Sequence, residues 1–99
     1  MILITQLIYI KEGSEKIFLD FESQVLPLME KYGGKIIQRV RPSPESFIEG
    51  EERKPYEIHI LSFESEKGLE NYSNDPVRKG LLHLKENSIA SAVLIKEAQ

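Results

Sequence analysis

The run ILITQLIYI at residues 2–10 decides how this sequence can fold. In an extended strand, alternate side chains point to opposite faces, and this run carries isoleucine or leucine on both. A strand that is apolar on both faces is a central strand of a sheet covered on each side. The run lacks a basic start and a small-residue cleavage site, and it is too short to span a bilayer. We therefore predict a buried strand over residues 2–11, not a signal peptide.

A helix is expected after this strand. Ser14 is a fair N-cap, and Glu15 suits the positive end of a helix. Apolar residues then recur at helical spacing as far as Tyr32. Pro27 lies inside this pattern and should kink the helix, because proline removes one backbone hydrogen bond. The glycine pair at 33–34 should end it.

Three further strands are predicted: KIIQRVR (35–41), YEIHILSF (56–63) and SAVLIKEA (91–98). A polar, acidic loop over 42–55 separates the first two of them. Strand alternation puts one set of residues on a single face of strand 35–41: Ile36, Gln38 and Val40.

A second helical region begins near Ser65 and is interrupted by SNDP at residues 73–76. Asp75 is a good N-cap and Pro76 suits the first helical position, so we interpret this stretch as a helix that stops and restarts. The alternative is a ligand site at the free amides of the new N-terminus.

The resulting order is β-α-β-β-α-β, which is the ferredoxin-like split βαβ plan in one α+β domain over residues 1–99. It predicts a four-stranded antiparallel sheet with both helices on one face. The other face would be bare, although the strands are apolar on both sides. The simplest cover for that face is a second copy of the sheet, in a homodimer with twofold symmetry.

The composition excludes several classes of function. The chain has 40% hydrophobic and 29% charged residues, a net charge of −3 and no cysteine. Lysine and arginine are spread along the chain, so we expect no nucleic-acid partner. The lack of cysteine excludes disulfides and thiolate catalysis and is compatible with the cytoplasm, where we expect the protein. We predict no membrane association, no metal site and no cofactor.

Three segments carry a resemblance to a known superfamily: LPLMEKYGGKIIQR (26–39), YEIHILSFES (56–65) and YSNDPVRKGLLHLKENSIASAVLIKE (72–97). With them the chain resembles the dimeric α+β-barrel superfamily, and it looks most similar to small uncharacterised members related to antibiotic-biosynthesis-type monooxygenases. The resemblance implies a ligand between the sheet and the helices of one subunit. The haem-degrading members rely on a tryptophan, and this chain has none.

His59, between Ile58 and Ile60, is the candidate catalytic residue, because imidazole titrates near neutral pH. The alternative is a hydrogen-bonded histidine in a strand. Arg39 could bind a carboxylate or phosphate in bidentate fashion, or it could form an ion pair with a glutamate.

The remaining candidate ligand-binding residues are Gln6, Tyr9, Tyr56 and Tyr72. Tyrosines suit a pocket lining because each combines an apolar ring with one polar tip. A buried amide such as that of Gln6 must find partners, either across a dimer or on a ligand. The sequence does not determine which face of strand 56–63 points at the helices. That orientation decides whether His59 contacts the space under the helices or the opposite face of the sheet.

Three hypotheses about function follow. The protein could bind a small apolar or aromatic molecule without chemistry of its own. It could be a cofactor-independent monooxygenase or isomerase acting on an aromatic or lactone-type substrate. It could also be a structural or regulatory dimer with no ligand.

Overall fold

The computed structural model describes residues 1–50 and 53–98; positions 51 and 52 of the predicted acidic loop lie outside the described residues. The strands are β1 (Ile2–Ile10), β2 (Gly34–Val40), β3 (Glu57–Phe63) and β4 (Ile89–Ala98). The helices are α1 (Glu15–Val25), α2 (Glu66–Ser73), α3 (Pro76–Gly80) and α4 (Leu82–Ser88). Two 3-10 segments, Leu26–Tyr32 and Pro44–Ser46, complete the elements.

The four strands form one antiparallel sheet in the order β2-β3-β1-β4. The even-numbered residues of β1 face the helices, and the isoleucines among them are buried there: Ile2, Ile4, Ile8 and Ile10. Phe18 of α1 and Met29 of the 3-10 segment pack on that side of the sheet. The α+β class and the ferredoxin-like arrangement predicted from the sequence are confirmed.

The first helix behaves as Pro27 predicts, since the α-helical part ends at Val25 and a 3-10 segment continues to Tyr32. Gly33 ends that segment in the left-handed conformation, with φ of 76°, which glycine adopts at little cost. Ser14 occupies the N-cap position as predicted, and its backbone carbonyl accepts the first helical hydrogen bond, from the amide of Phe18 at 3.0 Å, but its side chain makes no capping hydrogen bond. Its hydroxyl instead donates to the backbone carbonyl of Asn87, at 3.3 Å.

The interruption at 73–76 is a helix stop and restart. The Asp75 carboxylate accepts hydrogen bonds from the backbone amides of Val77, at 2.8 Å, and Arg78, at 3.0 Å. The hydroxyl of Tyr32 donates to the same carboxylate, at 2.5 Å. These two amides are thus occupied by the protein itself, which argues against the alternative of a ligand at this N-terminus.

A β-bulge in β2 changes which residues face the helices. Ile36 pairs with Leu61, but the next pair is Gln38 with Ile60, so Ile37 is an extra residue. Beyond an inserted residue, every side chain changes face. Contrary to the simple alternation, Gln38 lies on the opposite face from Ile36, and Arg39 lies on the helix side.

Within the described ranges, no helix combines the length and apolar character needed to cross a membrane.

Candidate functional site

The helix-facing side of β3 carries two ionisable groups that are almost fully buried. Glu57 and His59 are 2% and 1% exposed, and Leu61 and Phe63 continue the same face into the core. His59 therefore faces the interior between sheet and helices, which answers the question that the sequence left open. Its Nε2 lies 2.9 Å from Oε1 of Glu57, two residues away on the same side of the strand.

Glu57 also accepts hydrogen bonds from two arginines, Arg39 in β2 and Arg41 directly after that strand. Arg39 Nε donates to Oε1 at 2.8 Å, and a terminal guanidinium nitrogen of Arg41 donates to Oε2 at 2.6 Å. The bulge in β2 makes this possible by aligning Arg39 with His59 on the helix side. Burial raises the pKa of Glu57, but hydrogen bonds from His59, Arg39 and Arg41 outweigh burial and hold the pKa at about 2. Arg39 thus forms an ion pair with a glutamate, which is the second of the two alternatives that the sequence offered for this residue.

An inner cavity of about 210 Å³ lies between the sheet and the helices. Most of its wall is apolar, contributed by Ile4, Ile8, Phe21, Val25, Leu26, Leu61, Phe63, Leu69, Ile89, Ala92 and Leu94. Its polar lining consists of Gln6, Glu22, Tyr72, Ser73, Arg78 and Lys85. Two of the candidates from the sequence, Gln6 and Tyr72, thus line the same cavity.

Tyr72 is held in place from three sides. Its hydroxyl donates to the carbonyl of Val25 at 3.2 Å, and its ring centroid lies 5.6 Å from that of Phe63. The guanidinium of Arg78 lies over the ring at 5.1 Å, a cation–π distance. Burial raises the pKa of Tyr72, and the nearby charge of Arg78 opposes that rise. Tyr72 is therefore a neutral, rigid part of the cavity wall at neutral pH.

Glu22 is a functional candidate that the sequence reasoning missed. It is 4% exposed and lies on α1 among the buried residues Phe18, Phe21 and Val25. Burial raises its pKa, and electrostatic interactions with His59 and Arg39 oppose that rise. A signal was present in the sequence, because Glu22 stands four residues after Phe18 and three before Val25, on the apolar stripe.

Arg78 is the second residue of the cavity that sequence reasoning did not single out. Its Nε is buried and has no hydrogen-bond partner among the described residues. Buried donors are almost always paired, so an unpaired one next to a cavity marks a place where an acceptor oxygen would be stabilised.

An outer groove of about 700 Å³ lies beside the inner cavity, where the 3-10 segment and α1 meet β2. Arg39, Lys35 and Glu64 line it, and Glu22 and Leu26 belong to both spaces. The groove and the cavity therefore meet where α1 passes into the first 3-10 segment.

Two tyrosine candidates lie elsewhere. Tyr9 shares a strand face with Leu7, on the side of the sheet away from the helices. Tyr56 packs edge-on against Phe18 at 5.7 Å, with the guanidinium of Arg41 over its ring at 4.6 Å. The structure thus does not bring these two residues to the inner cavity.

The described residues contain no cluster of three or more histidine, aspartate or glutamate side chains able to hold a metal ion. What the fold and the site define is a ferredoxin-like α+β protein with a small, mostly apolar internal cavity that has a few polar groups in its wall.

Comparisons with solved structures agree with this class. A Rhodopseudomonas palustris protein of unknown function is 14% identical, with TM-score 0.82 over 99% of this chain and 81% of that one. A Mesorhizobium loti protein described as a DABB family protein with a ferredoxin-like fold is 12% identical, with TM-score 0.70 over 99% and 95%. A Bacteroides fragilis protein described as dimeric, of unknown function and with a ferredoxin-like fold is 10% identical, with TM-score 0.70 over 99% and 95%. At these identities the likeness concerns the fold alone. No family model matches the sequence, and no curated protein matches it either.

Proposed function

We propose that the protein is a homodimer in which each subunit binds a small, largely apolar or aromatic molecule in the inner cavity. The observation that carries the binding proposal is the Nε of Arg78, which has no hydrogen-bond partner among the described residues and belongs to the lining of a mostly apolar cavity. An acceptor oxygen on the ligand would satisfy that nitrogen, and the apolar wall would hold the rest of the molecule.

The size of the cavity limits the ligand. A cavity of about 150 Å³ is enough for benzene, so about 210 Å³ accommodates one ring with one or two small substituents. The Tyr72 ring offers a flat aromatic wall to such a ring. Aromatic carboxylic acids, quinols and lactones of that size are the classes that we expect to bind.

The proposal of a dimer rests on the sheet face away from the helices. Apolar residues from all four strands share it: Leu3, Leu7, Val40, Ile58, Ile60, Val93 and Ile95. Val93 and Ile95 are each 49% exposed in the single subunit. A continuous apolar face of this kind is rarely left in water, and a second copy covers it with a matching surface. The Bacteroides fragilis neighbour is described as dimeric, which supports the same choice.

Light scattering tests the dimer. We expect a mass of twice 11.4 kDa at micromolar concentration, and Val93→Glu should give a monomer because it buries a charge in the interface. Val77→Glu is the matched control, since Val77 is 55% exposed on α3, on the helix side. A monomeric wild-type protein would contradict the proposal.

A thermal-shift screen tests the ligand. A compound at ten times its Kd stabilises the native state by about 1.4 kcal/mol, which raises the Tm of a domain of this size by about 5–10 °C. Ala92→Leu fills part of the cavity and should abolish the shift, whereas Ala90→Leu, which does not line it, should keep it. If no compound of the three classes shifts the Tm, the proposal fails and a structural or regulatory dimer becomes the better reading.

A cofactor-independent isomerase is the second candidate, favoured by Glu22 in the wall of the cavity. The monooxygenase alternative and the relationship to antibiotic-biosynthesis-type monooxygenases rest on the sequence resemblance and stay predictions. The same holds for a catalytic role of His59, for ligand contacts by Tyr9, Arg39 and Tyr56, and for a cytoplasmic location.

A further inference from the structure

Glu22 occupies the boundary between two spaces. It lines the inner cavity, where Arg78 and Tyr72 also lie, and it lines the outer groove, where Arg39 lies. Among the described residues, Leu26, which follows α1 at the start of the first 3-10 segment, is the other one that lines both spaces. Glu22 therefore stands where the inner cavity and the outer groove meet.

The charges around Glu22 come from several elements. His59 and Glu57 act on it from β3, Arg39 from β2 and Arg78 from α3. Tyr72 from α2 and Lys85 from α4 line the same cavity. Glu57 has three donors of its own, whereas the carboxyl of Glu22 has no hydrogen bond to another described side chain. Glu22 is thus the acid of this group that remains available to a ligand.

We propose that Glu22 is the proton-transfer residue of a site for enolisable carbonyl compounds, with Arg78 receiving the carbonyl oxygen. This inference rests on the proposed function, because it requires that a small molecule enters the inner cavity. It adds the chemical class of the substrate and the role of one side chain.

The step balances without an oxidant or a cofactor. The Glu22 carboxylate takes the proton from the carbon next to the carbonyl group, and the electron pair of that C–H bond forms the C=C bond of an enolate. The carbonyl π pair moves to oxygen, where the negative charge accepts a hydrogen bond from Arg78 Nε. Protonated Glu22 then returns a proton to the same carbon, which gives exchange, or to a conjugated carbon, which gives an isomer.

Burial suits Glu22 to this role. It raises the pKa of the carboxyl and thereby makes the carboxylate a stronger base at neutral pH than an exposed glutamate. The outer groove, which Glu22 also lines, supplies the route by which the proton is exchanged.

The experiment uses phenylacetone, a one-ring ketone with acidic benzylic protons, in buffered D2O. Proton NMR follows loss of the benzylic signal, and the thermal shift with the same compound reports binding. We expect the wild-type protein to accelerate exchange by about 100-fold or more over buffer, the range of general acid–base catalysis. The rate should rise with pH and level off once Glu22 is ionised.

Glu22→Gln should bring exchange down to the buffer rate and keep the thermal shift, and Glu22→Asp should restore part of the rate. Glu15→Gln, an exposed position on the same helix, should leave exchange unchanged. Binding without accelerated exchange, or equal exchange in Glu22→Gln, overturns the role of Glu22 and leaves the binding function standing. If phenylacetone and the lactones do not bind while aromatic acids or quinols do, the class of enolisable carbonyl compounds is wrong. If nothing binds, the proposed function itself fails.

Discussion

Replacing Glu57 by glutamine should destabilise the protein strongly and in a way that depends on pH. In the wild type the carboxylate accepts hydrogen bonds from Arg39 at 2.8 Å and Arg41 at 2.6 Å, and it contacts His59 at 2.9 Å. These donors hold its pKa at about 2, against an ordinary value of 4.5. At about 1.4 kcal/mol per pH unit, the difference corresponds to about 3 kcal/mol of stability at pH 7.

The sign of the pH dependence follows from the direction in which the pKa of Glu57 is displaced on folding. Because the folded pKa of Glu57 is depressed, its contribution is complete above pH 4.5 and is lost as the pH falls towards 2. Glu57→Gln mimics the protonated form, so the difference from wild type should be about 3 kcal/mol at pH 7 and should shrink steadily between pH 4.5 and pH 2.

Urea unfolding followed by far-UV circular dichroism measures this difference, because the chain has no tryptophan for fluorescence. A loss of about 3 kcal/mol lowers the urea midpoint by about 1–3 M. All samples need one protein concentration, since dimerisation would couple stability to concentration. Glu45→Gln, an exposed position in the second 3-10 segment, should change the midpoint little. A loss below about 1 kcal/mol at pH 7, or one that is the same at pH 7 and pH 3, would refute the reasoning.

Gly68→Ala should destabilise the fold by about 1–3 kcal/mol, because an added Cβ would lie 2.3 Å from the backbone oxygen of Tyr32. The control is Gly80→Ala, where nothing lies within 4 Å of the added Cβ. Its free energy of unfolding in the same urea assay should stay within about 1 kcal/mol of the wild-type value. A smaller loss for Gly68→Ala than for Gly80→Ala would contradict this. Glu22→Gln should raise the Tm at pH 8 and have little effect at pH 4. The pKa of Glu22 is raised above 4.5 in the folded protein. Ionisation of Glu22 therefore weakens the fold as the pH rises from 4.5 through the pKa of the folded protein, and glutamine removes this effect. A pH-independent change in Tm would show that burial of its charge is not the cause.

Three changes in the helical regions, at Pro27, Gly33 and Pro76, were predictable because their causes are local, whereas the break between α3 and α4 was not predicted. Asp75 and Pro76 define a helix start through a side chain and its own next amides, and Gly33 ends the 3-10 segment through its own backbone conformation. Pro27 acts in the same way. Each of these effects operates within one helical turn, so a single stretch of sequence contains all the information.

The sheet order could be predicted for a different reason. Apolar residues on both faces of 2–10 require a central strand, and the βαββαβ order then leaves few ways to arrange the others. The partner that covers the free face of the sheet could not be predicted in this way. The hydrophobic effect is non-directional, so an apolar face does not specify which apolar surface will cover it.

The site depended on tertiary structure. The extra residue at Ile37 brings Arg39 to the helix side beside Glu57 and His59, and strand alternation within 35–41 does not reveal a bulge. Glu22 carries a local signal, a charge on an apolar stripe, but its proximity to Arg78 depends on how α1 and α3 pack together over the sheet.

From sequence alone, then, came the strands, the helix restart at Pro76, the antiparallel sheet and the fold class, because periodicity and capping act over neighbouring residues. Tertiary structure alone decided that His59 and Glu57 point towards the helices, that Gln6 and Tyr72 line one cavity, and that Glu22 stands between the cavity and the groove. Those relations join residues far apart in the chain. They are set by packing, register and one bulge, which no local pattern specifies.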